Sequence, residues 1–92
     1  MIRSFRHKGL QRLFEDDDPR GVNPQHVRKL RHILAALNGA KTVEGLNLPT
    51  FNLHPLKGAR AGSWAVTVRA NWRVVFHFEN GGAVDVDYED YH

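Results

Sequence analysis

From Trp64 to Tyr88 the chain alternates apolar and polar residues with a period of two, and no other feature limits its possible folds as strongly. Trp64, Val66 and Val68 alternate with Ala65, Thr67 and Arg69; Trp72, Val74, Phe76 and Phe78 then alternate with Arg73, Val75, His77 and Glu79. After Asn80-Gly81-Gly82, Val84, Val86 and Tyr88 alternate with Asp85, Asp87 and Glu89. Successive strand side chains leave on opposite faces, so each run offers one face to a core and one to water. Asn80-Gly81-Gly82 tolerates the positive φ of a tight hairpin. The pattern predicts a three-stranded antiparallel meander, with Ile2 to Phe5 adding a strand and Thr50 to His54 a short one before the Pro55 to Gly62 loop.

The first half carries a different period. Val27, Leu30, Ile33, Leu34 and Leu37 recur at three- and four-residue steps, which predicts an amphipathic helix from Asn23 to Asn38. Asn23 is a suitable N-cap with Pro24 at the first helical position, and Gly39 can take the left-handed conformation that ends a helix. A shorter helix from His7 to Phe14 groups Leu10, Leu13 and Phe14, and the acidic run Glu15 to Asp18 opposes its C-terminal dipole. Two N-terminal helices on one face of an antiparallel sheet make an α+β arrangement. A chain of 92 residues leaves room for one domain, residues 1–92.

Composition narrows the function. There is no cysteine, which removes disulfides, thiolate nucleophiles and cysteine-based zinc sites, and a cytoplasmic protein is expected. No run approaches the roughly 20 apolar residues of a membrane span, and Met1-Ile2-Arg3-Ser4-Phe5 lacks a signal-peptide core, so no membrane partner is expected. A small chain that must spend its apolar residues on one core favours a large substrate docked on an open face over an enclosed metabolite. The net charge of +3 is uneven: Gly45 to Phe78 contains no acid but holds Lys57, Arg60, Arg69 and Arg73 with His54 and His77. That stretch is a candidate polyanion surface, or the solvated face of an ordinary basic protein. His26 and His32, six apart, fall on different helix faces, and Asp90 with His92 lacks further nearby ligands; no metal site and no cofactor are expected.

Three segments in register carry a further reading: Leu53-His54-Pro55-Leu56-Lys57-Gly58, the run Trp64 to Phe76, and Tyr88-Glu89-Asp90-Tyr91-His92. Together they resemble the HigB-type toxins of the RelE superfamily, over essentially the whole chain. The resemblance implies a small twisted antiparallel sheet with two N-terminal helices on one face. It implies a ribosome-dependent endoribonuclease that cuts mRNA in the ribosomal A site without a metal and so inhibits translation. It also implies a HigA-like antitoxin partner, with operator DNA met only through the antitoxin complex.

Such cleavage needs a base for the 2′-hydroxyl proton, positive charge for the phosphorane-like transition state and an acid for the departing 5′-oxygen. The resemblance places His92, Asp90, Lys57 and His54 in the catalytic set, and Arg73, Tyr91 and Asn71 on RNA and its phosphates. Each has a plainer alternative. Lys57 suits a solvated loop lysine, His54 a packing histidine, and Arg73 a cross-strand partner of Asp85 or Asp87. Asp90, Tyr91 and His92 suit an ordinary polar tail, although the α-carboxylate of His92, read as the last residue, would favour its imidazolium. His7, His26, His32 and His77 are assigned surface or structural roles. A second reading is a non-enzymatic ParE-like gyrase poison, whose relatives generally lack the Lys57, Asp90 and His92 set. A third is a plain nucleic-acid-binding module, which the in-phase core positions of Trp64 and Trp72 disfavour.

Overall fold

The computed structural model describes residues 1–91, so His92, the leading candidate acid, lies outside the described residues. Helix α1 spans Lys8–Asp16 and α2 Val27–Gly39; strands β1 (His54–Pro55), β2 (Trp64–Arg69), β3 (Trp72–Glu79) and β4 (Gly82–Asp90) follow. The strands form one antiparallel sheet in the order β1-β2-β3-β4. The fold is α+β, as the two periodicities predict.

Local chemistry marks where each helix starts. At α1 the capping residue is His7, whose Nδ1 accepts from the Leu10 amide at 3.1 Å. The helix runs past Phe14 through Glu15 and Asp16, and ends only where Asp17 turns left-handed at φ 56°. Asn23 accepts from the Gln25 amide at 2.9 Å, but the turn it caps is a tight 3-10 turn, Pro24–His26, that leads into α2. Gly39 does not turn left-handed; it remains the last helical residue, and the extended backbone of Ala40 ends α2. One glycine pair is required by proximity: a Cβ on Gly9 would lie 2.3 Å from the Gly21 carbonyl oxygen, so the 3-10 turn Pro19–Gly21 can pack on α1 only without side chains there.

Leu30, Ile33, Leu34 and Leu37 of α2 and Leu10 and Leu13 of α1 are buried against Val66, Val74 and Phe76 of the sheet. Burial at about 25 cal/mol per Å² of apolar surface makes this seam the main source of stability. Phe51, fully buried, comes from a turn rather than a strand, and its carbonyl accepts from the Thr67 amide at 2.8 Å. The predicted strand at Thr50 to His54 is therefore reduced to His54–Pro55. The segment Ile2 to Phe5 makes two isolated parallel bridges to β4, Ile2 with Ala83 and Phe5 with Val86, in place of a continuous strand.

The period-two reading of the last strand needs one correction. Asp85 adopts φ 52° and inserts an extra residue opposite β3: His77 pairs with Val84, but Val75 pairs with Asp87. This β-bulge exchanges faces within one strand, so Ala83, Val86 and Tyr88 join the core under the helices and Val84 does not. Among the described residues no helix is long and apolar enough to cross a membrane.

Candidate functional site

The sheet's second face, turned away from the helices, is built by residues that pair row by row. His54, Ala65, Val75 and Asp87 lie opposite one another across the four strands, and the neighbouring row is Thr67, Arg73 and Glu89. Residues paired across antiparallel strands share a face, so His54, Arg73 and Glu89 share this one.

Glu89 organises it. Arg73 Nε donates to Glu89 Oε2 at 2.8 Å and Arg73 Nη2 lies 2.7 Å from the same oxygen, while Arg60 donates in a two-point contact to both carboxylate oxygens at 3.0 Å each. The plainer alternative for Arg73, a cross-strand pair with Asp85 or Asp87, thus holds in kind but with Glu89 as the partner. The Asp85 bulge offsets every pair beyond it by one residue and brings Glu89 opposite Arg73. The hydrogen bond from Arg60 holds the Glu89 carboxyl below the usual carboxylate range; burial opposes this and the bond from Arg73 adds to it. The same carboxylate raises Arg60 further. Arg73 is the most enclosed of the three, with 12% of its side chain accessible, and its guanidinium lies 4.0 Å from the centre of the Tyr91 ring.

The remaining candidates surround this centre. Tyr91 donates its amide to the Asn71 carbonyl at 3.0 Å, which ties the strand end to the β2–β3 turn. His54 Nδ1 lies 2.8 Å from the Asn52 carbonyl oxygen. A carbonyl only accepts, so Nδ1 carries the hydrogen and Nε2 of the neutral ring keeps the lone pair, the form a proton acceptor needs. Lys57 is exposed and immediately precedes the 3-10 turn Gly58–Arg60 in the loop between β1 and β2. That loop is closed at its base by the Leu56 amide donating to the Ser63 carbonyl at 2.9 Å. Asp90 pairs with Trp72, one step out of phase with Arg73 and Glu89, so the ladder assigns it to the helix side at the strand's end. The structure thus brings Arg73 to Tyr91 directly, places His54 on the same face but two strands away on β1, joins the Lys57 loop to this face through Arg60, and gives Asp90 the opposite parity at the end of β4.

A hollow of about 220 Å³ lies between the Gly58–Arg60 loop and the sheet, lined by Arg6, Arg60, His77, Asp85 and Asp87 among others. The stretch that is acid-free in sequence is therefore not acid-free in space, because β4 lays its carboxylates beside it. Sequence reasoning named neither Arg60 nor Glu89 as a site residue. The sequence marks Arg60 as one of the basic stretch and Glu89 as one of the outward-facing acids in the last segment, and the bulge hid that the two pair. Among the described residues no group of three or more His, Cys, Asp or Glu could hold a metal ion.

A small antiparallel sheet with two helices on one face is consistent with an α+β RelE-like fold. The family model for the RelE-like toxin of the type II toxin-antitoxin system HigB matches residues 3–92, and the chain belongs to that family. It is 50% identical over 92 residues to the endoribonuclease HigB of Proteus vulgaris, covering the whole of both chains.

Proposed function

We infer that the chain is the toxin of a type II toxin-antitoxin system and acts as an endoribonuclease on mRNA, and we propose that it cuts in the ribosomal A site. The family match over residues 3–92 carries the reading. The second face of the sheet supports it, because a half-buried guanidinium held by Glu89 beside an aromatic ring suits an RNA phosphate and its base.

In the proposed mechanism His54 Nε2 takes the 2′-hydroxyl proton, and the 2′-oxygen attacks the adjacent phosphorus. The bond from phosphorus to the 5′-oxygen breaks, leaving a 2′,3′-cyclic phosphate and a 5′-hydroxyl. Lys57 and Arg73 stabilise the charge on the phosphorane oxygens, Arg73 through a fork that a lysine cannot reproduce. His92 gives the leaving oxygen its proton, with Asp90 orienting the tail, and Tyr91 and Asn71 hold the RNA. An open face with few base-reading groups cannot alone bring a 2′-hydroxyl into line with its phosphate, so the ribosome supplies the alignment. A cytoplasmic location, a HigA-like antitoxin that silences the toxin, and operator contact only through the antitoxin complex complete the reading, with residues 1–92 acting as one domain.

Primer extension on a defined message, with and without programmed ribosomes, tests this. The expected result is cleavage within A-site codons and survival of naked RNA. Equal cutting of free RNA would remove the ribosome from the reading, and gyrase-dependent DNA breaks with intact mRNA would replace it with a ParE-like poison.

A further inference from the structure

The loop that carries Lys57 closes on itself through backbone bonds from Leu56 to Ser63 and from Ala61 to Gly58, but its two glycines face open space. Gly58 and Gly62 adopt φ of 68° and 99°, and no heavy atom lies within 4 Å of where a Cβ would stand on either. The loop nevertheless lies across the sheet, because Arg60 at its 3-10 turn reaches β4, 29 residues away in sequence, and grips both oxygens of Glu89. The same carboxylate grips Arg73 from the other side. One acid therefore joins the loop to the strand that holds the half-buried Arg73, and leaves the three-residue group with a net charge of +1.

We propose that Arg60 is a positioning residue that, through Glu89, latches the β1–β2 loop over the sheet so that Lys57 meets the same phosphate as Arg73. This rests on the nuclease reading above. In this proposal Arg60 acts through Glu89, which engages both of its terminal nitrogens, and not through substrate. A two-point contact makes an effective latch because it fixes direction as well as distance, which a single ammonium contact does not. Arg73 keeps its own bonds to Glu89 when Arg60 is removed, so the two arginines should be separable.

The experiment is a double-mutant cycle on ribosome-bound message, read as single-turnover cleavage rates. Arg60→Ala should slow cleavage about tenfold in the parental chain, mid-range for coupled neighbours. In a Lys57→Ala background the same change should cost less than about twofold, because there is no lysine left to position; in an Arg73→Ala background it should again cost about tenfold. Arg60→Lys should restore only part of the rate. Hydrogen exchange gives an independent readout: the Ala61 amide, bonded to the Gly58 carbonyl, should exchange faster in Arg60→Ala while the β3 amides do not change. Equal losses in all three backgrounds would overturn the proposal and make Arg60 a direct phosphate contact. Unchanged Ala61 exchange would overturn the latch itself. A silent Lys57→Ala would instead overturn the role of Lys57 in the nuclease reading, and with it the purpose of the latch, whatever exchange shows.

Discussion

The two faces of the sheet are made by the same strands yet hold opposite chemistry. On β3, Val74 and Phe76 are buried under the helices, while Arg73, between Trp72 and Val74 in sequence, meets Glu89 and Tyr91 on the other side. The helix side tolerates little polarity: among the described residues His26 is the one buried polar side chain, 4% exposed, and it shares a 2.6 Å hydrogen bond with the Tyr88 hydroxyl. The far side is organised by charge around one carboxylate. A period of two thus gives neighbouring residues different roles, so stability and catalysis can be broken separately.

The largest separation is expected at the tail. Removing Asp90, Tyr91 and His92 takes away the last pair of β4, Asp90 with Trp72, the backbone bond from Tyr91 to Asn71 and the ring over Arg73, but keeps Val86 and Tyr88, which carry the strand's buried face. Cleavage on ribosomes should fall about 10² to 10⁴-fold, the usual range for losing a general acid, with near-parental thermal unfolding and intact antitoxin binding. His92→Gln should give most of the same loss. A folded truncation that cuts at the parental rate would refute the assignment of the tail. The converse break is Phe76→Ala, which should cost about 3 to 5 kcal/mol of stability in urea unfolding. In that variant activity should decline only in step with the folded fraction, whereas Arg73→Ala should lose activity without losing stability.

Much of this was legible because the signals are local. The strands of the meander, the α2 stripe and the cap at Asn23 depend on neighbours within a few residues. Arg60 and Glu89 were not legible, because their contact depends on a loop crossing two strands and on a register offset. Asp85 carries no sequence mark of a bulge; its left-handed φ comes from tertiary context, with its amide bonded to Ser4 Oγ at 2.8 Å. The same offset defeated the prediction that Val84 shares the core face with Val86.

A smaller effect tests the helix side through pH. Burial, aided by the positive charge of Arg69, lowers the pKa of His26. The unfolded state then binds a proton more readily than the folded one, so the stability held above the ordinary histidine value, about 6.5, is lost as pH falls through that value toward the lower folded one. Glu89 is also lowered, but its contribution is lost only in the more acidic window below the ordinary carboxylate value. Melting temperature should therefore decline between about pH 7 and 5 in the parental chain and more weakly in His26→Phe. That variant should also lose about 1 kcal/mol at neutral pH, because the Tyr88 hydroxyl loses its bond to the His26 ring and keeps only the one to the Asn23 backbone. An unchanged pH slope would remove His26 as the cause.

The smallest effect concerns the residue that keeps the two faces distinct. Without the bulge at Asp85 the register of the turn would place Tyr88 opposite Arg73, and Glu89 would lose its place between the two arginines. Asp85 is exposed, so its side chain contributes little packing and a substitution there reads backbone conformation. A left-handed φ disfavours a residue with a Cβ by about 1 to 2 kcal/mol, and most strongly a β-branched one. Asp85→Val should therefore destabilise by about that amount. Asp85→Gly should remain within about 0.5 kcal/mol of the parental chain, because relief of the left-handed strain is offset by the greater freedom of glycine when unfolded. Urea unfolding of the two variants gives the comparison. If valine were tolerated as well as glycine, position 85 could not be left-handed in solution. The strand would then pair without the offset, and the Arg60, Glu89 and Arg73 group would have to be rebuilt on a different register.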